Sequence, residues 1–146
     1  MRSVNRVHRG AVAVAGAAAI ILTMAPTAFA EGSFSSSISG AMTGFNSRWW
    51  TKQKNYDAST VINFKNCWAS GPDTSTTVQL TKYKSGPLPD ENRGQKTFTA
   101  CFGGGTSSGN WGTQRGGGDE YRFAIMKING STSGYSLNVS SLSVSY

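Results

Sequence analysis

An all-β fold, a single antiparallel β-sandwich of about seven strands carrying one disulfide behind a cleavable signal peptide, is what the sequence predicts. Three observations lead there. Ser, Thr, Val, Ile and aromatic residues alternate in short runs punctuated by Gly, Asn, Pro and Asp, the mark of half-buried strands. No stretch after residue 30 keeps the i, i+3, i+4 apolar spacing of a helix beyond about two turns. Cys67 and Cys101 form the sole pair of cysteines.

Residues 1–30 read as the leader. Arg2, Arg6 and Arg9 precede an almost wholly apolar run from Ala11 to Ala25, and Ala28-Phe29-Ala30 is a small-x-small cleavage site. The mature chain is then expected to begin at Glu31. The apolar run is shorter than the roughly 20 residues that span a bilayer, so no membrane span is expected. Of 146 residues, 116 remain after the leader, the size of one domain, 31–146.

Within that domain the strands follow in order. The first groups Phe34, Ser36, Ile38, Gly40 and Met42 on one face and serines on the other, and residues 48–52 form a short second strand. Residues 61–68 align Ile62, Phe64 and Trp68, and 76–84 align Val78 and Leu80. The fifth strand, 96–102, aligns Phe98, Ala100 and Phe102, while the sixth, 120–128, aligns Tyr121, Phe123 and Ile125. Asn129-Gly130-Ser131 suits a tight turn, because Asn-Gly tolerates positive φ. Tyr135, Leu137 and Val139 then share one parity, and Leu142, Val144 and Tyr146 the other, which predicts a bulge or bend near Ser140 and Ser141. Two long connections are expected: a polar stretch at 85–95, and 103–118, where eight of 16 positions are glycine around Trp111.

An oxidising destination makes a Cys67–Cys101 disulfide the expected state. Both cysteines have the parity opposite to their strands' main apolar faces. The bridge is accordingly expected outside the central core.

Composition excludes several chemistries. The only histidine, His8, lies in the leader, leaving no imidazole for a catalytic triad or a zinc site. Carboxylates are few, and the neighbours Asp90 and Glu91, or Asp119 and Glu120, point to opposite sides of an extended backbone. The 103–118 stretch has no P-loop lysine and opens no helix. Asp90, Glu91 and Asn92 lack EF-hand spacing. The expectation is no enzyme, no catalytic residue, no metal and no cofactor.

Three of the 14 Lys and Arg lie in the leader, so the mature chain has 11 against 7 Asp and Glu. That mild excess gathers at Arg48, Lys52 and Lys54 beside Trp49 and Trp50, too sparse a stripe for nucleic acid. Arg48, Trp49, Trp50, Lys52, Lys54 and Trp111 are the candidate partner-binding residues, since Trp and Arg are enriched at interface hot spots. Trp49 and Trp50, adjacent in a strand, face opposite sides, one into the core and one outward. Trp111 either plugs one end of the sandwich or presents an indole to a partner, the plug being favoured.

A Ser/Gly-rich segment leading into a cationic aromatic patch, ahead of a disulfide-stapled sandwich, resembles the small adaptor subunits of bacterial umbrella toxin particles over residues 31–146. The resemblance implies an extended cationic strap, 31–54, docking into a cleft of a lectin-bearing subunit while the body meets a ring-forming scaffold. The function expected is thus a secreted, extracellular, non-enzymatic protein-interaction module whose partners are other secreted proteins. Two alternatives stand beside it. One is a carbohydrate- or cell-wall-binding module using Trp111 or Trp50 for stacking on polysaccharide and Asn110, Gln114 and Asp119 for hydrogen bonds. The other is a hydrolase inhibitor inserting Gly86-Pro87-Leu88-Pro89 or the glycine-rich stretch, and a small glycosidase or lyase ranks below both.

Overall fold

A computed structural model of the protein describes residues 32–53, 57–114 and 118–146. The alternating sequence resolves into eight strands: β1 (Ser33–Met42), β2 (Trp50–Lys52), β3 (Ser59–Ala69), β4 (Thr76–Lys82), β5 (Glu91–Phe98), β6 (Thr106–Thr113), β7 (Asp119–Ile128) and β8 (Ser136–Ser145). They form two four-stranded antiparallel sheets, ordered β1-β8-β3-β6 and β2-β7-β4-β5. Among the described residues there is no α-helix, only a 3₁₀ turn at Ala100–Gly103. Of consecutive strands only β4 and β5 are neighbours in one sheet; every other connection crosses between sheets.

The core lies where the inward parities meet. Ile62 and Phe64 of β3 and Leu137, Val139, Leu142 and Val144 of β8 face Val78 and Leu80 of β4 and Tyr121, Phe123, Ile125 and Ile128 of β7, all buried. Phe64 packs edge-on against Phe98 at 5.0 Å and against Phe123 at 5.7 Å between ring centres.

The parity change expected at Ser140 and Ser141 is present, and its cause is a matching change across the ladder. Both serines are exposed, as are Lys65 and Asn66 of β3, the latter at φ 53°. On one side of this step Phe64 pairs Leu142; on the other Cys67 pairs Val139, with no shift of register. Two strands therefore turn over together. The consequence corrects two expectations: Cys67 rotates into the core with Cys101, and Trp68 rotates out to 56% exposure. The bridge, with Cα atoms 5.1 Å apart, ties β3 to the 3₁₀ turn inside the core.

A similar step corrects β1. Gly40 takes φ 63°, a left-handed conformation glycine adopts without strain, and the register with β8 shifts between Ile38 and Ala41. Ala41 is buried and Met42 is left 61% exposed.

The two expected loops both hold strand, because edge strands are polar and glycine has a second use. β5 begins at Glu91 within the expected polar connection, and residues 100–102, expected as strand, lie in the 3₁₀ turn Ala100–Gly103. The glycine-rich 103–118 stretch holds β6. At Gly109 a Cβ would sit 2.6 Å from the Trp111 ring and 2.9 Å from Phe98, so glycine there lets the indole lie on the strand. The Asn129-Gly130 turn is as expected, with φ 53° and 75° and reciprocal bonds between Ile128 and Ser131 of 2.9 and 3.0 Å.

Candidate functional site

The segment carrying the cationic aromatic patch is held along β7. The Gly44 N–H donates to Ile125 O at 2.8 Å, Ser47 N–H to Phe123 O at 2.9 Å, and Trp50 pairs Tyr121. Extended backbone then alternates the side chains. Trp50 points inward, 4% exposed, between Phe34 at 5.7 Å and Tyr146 at 5.8 Å. Lys52 shares that face and is 1% exposed, its Nζ donating to Ala58 O at 2.7 Å. The period of two that buries the tryptophan buries the lysine as well, so Lys52 is not a surface cation. Lys54 lies outside the described residues.

Residues 33–42 of the expected strap are likewise part of the body, as β1. The patch divides between two surfaces. Arg48 is exposed with its guanidinium 4.0 Å over the Phe34 ring. Trp49, half-buried, lies on the outer face of the second sheet.

On that outer face three elements converge. Tyr83, exposed just beyond β4, meets Trp49 edge-on at 5.7 Å. Arg122 of β7 places its guanidinium 4.3 Å over the same indole and donates from Nη2 to Asp90 Oδ2 at 3.2 Å. Asp90 also accepts from Lys84 N–H at 3.2 Å, so the 83–90 loop is tied down over the sheet. An indole, a phenol and a guanidinium thus meet on one partly exposed surface. Tyr83 and Arg122 were not singled out from the sequence. Their outward parity is legible, since Val78, Leu80, Tyr121 and Phe123 point in, but which strands are neighbours is not.

Trp111 sits at the opposite side of the sandwich. Its ring is half-buried, 6.4 Å from Phe98, and its Nε1–H donates to Gly94 O at 2.9 Å. Lys96 Nζ lies 5.6 Å over it. The buried Gln114 accepts from Arg93 Nε at 2.9 Å and donates to Trp111 O at 2.7 Å. Trp111 thereby joins the β6 edge of one sheet to the β5 edge of the other.

Three of the acids are engaged in ion pairs: Asp119 with Lys82 at 2.7 Å, Glu91 with Arg93, and Asp90 with Arg122. The Asp119 hydrogen bond raises the Lys82 pKa above its usual 10.5, against a smaller opposing effect of burial. The Arg93 hydrogen bond lowers Glu91 below its usual 4.5. Burial raises Tyr121 above its usual 10.0, and its hydroxyl has no hydrogen-bond partner among the described residues. No group of three or more His, Cys, Asp or Glu among the described residues is placed to hold a metal ion. No helix among them is long and apolar enough to cross a membrane.

The first sheet's outer face is uncharged over most of its width. Ser35, Ser143, Asn63 and Ser108 form one rank across its four strands, and Ser33, Ser145, Val61 and Asn110 the next. Trp68 stands at one end beside Asn138, its partner on β8. No family model matches the chain, and neither does any curated protein or solved structure.

Proposed function

We propose that the protein is a secreted, non-enzymatic protein-interaction module that docks a partner on the outer face of its second sheet. The convergence of Trp49, Tyr83 and Arg122 carries this reading, because these are the three residue types most enriched in binding hot spots. The Asp90 bond already fixes Arg122, which lowers the entropy lost on association. A core disulfide and a signal-peptide-like start support an extracellular setting. In its more specific form the module is an adaptor subunit of a toxin particle of the umbrella kind. The body face around Trp49, and not a free strap, then makes the contact.

The test is recovery of partner proteins from culture medium with the tagged chain. Trp49→Ala with Tyr83→Ala should leave the chain folded, with a moderately lowered thermal midpoint, and reduce recovery at least tenfold. Undiminished recovery would contradict the docking face.

One observation favours a second reading, carbohydrate binding. Trp68 presents an exposed indole at the end of a hydroxyl- and amide-rich sheet face, as sugar stacking requires. Trp50 and Trp111, the platforms expected from the sequence, are buried and half-buried, and Gln114 and Asp119 are engaged internally. Retention on insoluble polysaccharide that Trp68→Ala abolishes would install this reading in place of the first.

A further inference from the structure

We infer that the outer edge of β1, with the cleft beside it, accepts an added strand from a partner: an extended acidic segment that sets one apolar side chain into the cleft. The inference rests on the reading of the protein as an interaction module and names a second contact, on the other side of the 48–49 backbone from Trp49.

The first observation is the edge itself. β1 ends the first sheet, and among the described residues it pairs only with β8. Its ten residues include no Lys, Arg, Asp, Glu or Pro, the residues that ordinarily guard an open edge. Register shifts between Ser36 and Ile38 and between Ile38 and Ala41 disturb the later part; Ser33 to Ser36 run in regular register with β8.

The second is an asymmetry between the two sides of the sandwich. At the β5 and β6 side, Trp111 and Gln114 bond across and close the gap. At the β1 side a cleft of about 220 Å³ stays open, lined on its apolar side by Phe34, Ile38, Phe45, Phe123 and Leu142 and on its polar side by Arg48 and four serines that include Ser36. Ser36 falls between Phe34 and Ile38 on the inward parity yet is exposed, so the open slot lies where a core side chain would be. An apolar cavity of about 150 Å³ holds benzene. The cleft therefore suits one aromatic or branched side chain, and it is smaller than the roughly 300–1,000 Å³ of most small-molecule sites. A side chain delivered by a strand fits this size, with backbone bonds supplying affinity and the slot supplying specificity.

The third is charge. Arg48 is exposed, held over Phe34, and makes no ion pair among the described residues. It complements an acidic residue flanking the inserted side chain.

The probes are blocked eight-residue peptides alternating Thr and Val, with a central Phe and a Glu at each end, compared with versions carrying Lys for Glu or Gly for Phe. Added to the chain purified from culture medium, the acidic Phe peptide should bind saturably and slow amide exchange along β1. The Lys and Gly versions should bind at least tenfold more weakly. Arg48→Glu, an exposed change, should reverse the charge preference, and Ser36→Phe should fill the slot and abolish binding. Equal binding of acidic and basic peptides, or no slowing of exchange at β1, would overturn the inference. Trp49→Ala with Tyr83→Ala should leave peptide binding intact. If that variant loses its partner while no peptide binds, strand addition fails alone; if peptides bind while partner recovery persists in that variant, the second-sheet face fails alone.

Discussion

Tyr121 shows how much one buried hydroxyl decides. Its ring fills the core end beside Trp50, but the phenol oxygen finds no hydrogen-bond partner among the described residues. A buried unsatisfied hydroxyl costs about 1–3 kcal/mol. Tyr121→Phe is therefore expected to leave stability unchanged or raise it by up to about 1 kcal/mol, read from a denaturation midpoint; a loss above about 1 kcal/mol would show that the hydroxyl has a partner. The sign of the pH dependence follows from the same place. Tyr121 and Lys82 both have folded pKa values raised above their ordinary 10.0 and 10.5, so the folded state holds its protons more tightly than the unfolded chain. Their contribution is fully present below about pH 10 and is lost as pH rises through the folded values. The midpoint should fall above pH 10, and less steeply in Tyr121→Phe. Glu91 acts at the other end: its lowered pKa gives stability present above about 4.5 and lost as pH falls through the folded value.

At the scale of elements, β6 is held by a reciprocal fit of glycine and tryptophan. Trp111→Ala removes a half-buried indole and its bond to Gly94, for an expected loss of about 2–3 kcal/mol, below the 3–5 of a fully buried aromatic. Gly109→Ala puts a methyl 2.6 Å from that ring and should cost about 1–3 kcal/mol by overpacking. Urea denaturation measures both, and a neutral Gly109→Ala would mean that the indole is free to move away. This fit explains what the sequence did and did not disclose. Strands with one apolar face, β4 and β7, are legible because alternation is unbroken over Val78 and Leu80 and over Tyr121, Phe123 and Ile125. β6 and the first part of β5, ahead of Lys96, are not, since an edge strand of Glu, Asn, Arg and Gln, or one of Ser and Gly, resembles a loop in composition. The turned-over step was visible in β8, where two apolar parities flank Ser140 and Ser141. In β3 a single polar pair, Lys65 and Asn66, hid the same step, which is why Cys67 and Trp68 were assigned to the wrong faces. The candidate site was legible only in part: Arg48 and Trp49 were named from the sequence, but Tyr83, Arg122 and Phe34 join them through strand pairings that one sequence does not show.

For the molecule as a whole, almost every connection crosses between sheets, so few native contacts are local. Such topologies fold slowly, since loop closure precedes most of the gain. The Cys67–Cys101 bridge closes a loop of sequence separation 34 between β3 and the turn leading into β6. By chain entropy it should stabilise the fold by about 4 kcal/mol. Reduction should lower the midpoint by a corresponding amount; an unchanged midpoint would mean that the reduced core holds its packing unaided. The two outer faces of the sandwich differ in kind, one uncharged over most of its width and rich in hydroxyls, the other carrying the Trp49, Tyr83 and Arg122 cluster with its ion pairs. The central claim is that the second of these docks a protein. Oxidative footprinting of the complex recovered from culture medium compares both faces in one sample. The account predicts that Trp49 and Tyr83 become protected while Trp68 keeps the reactivity of the free chain; protection of Trp68 with Trp49 and Tyr83 still reactive would contradict it.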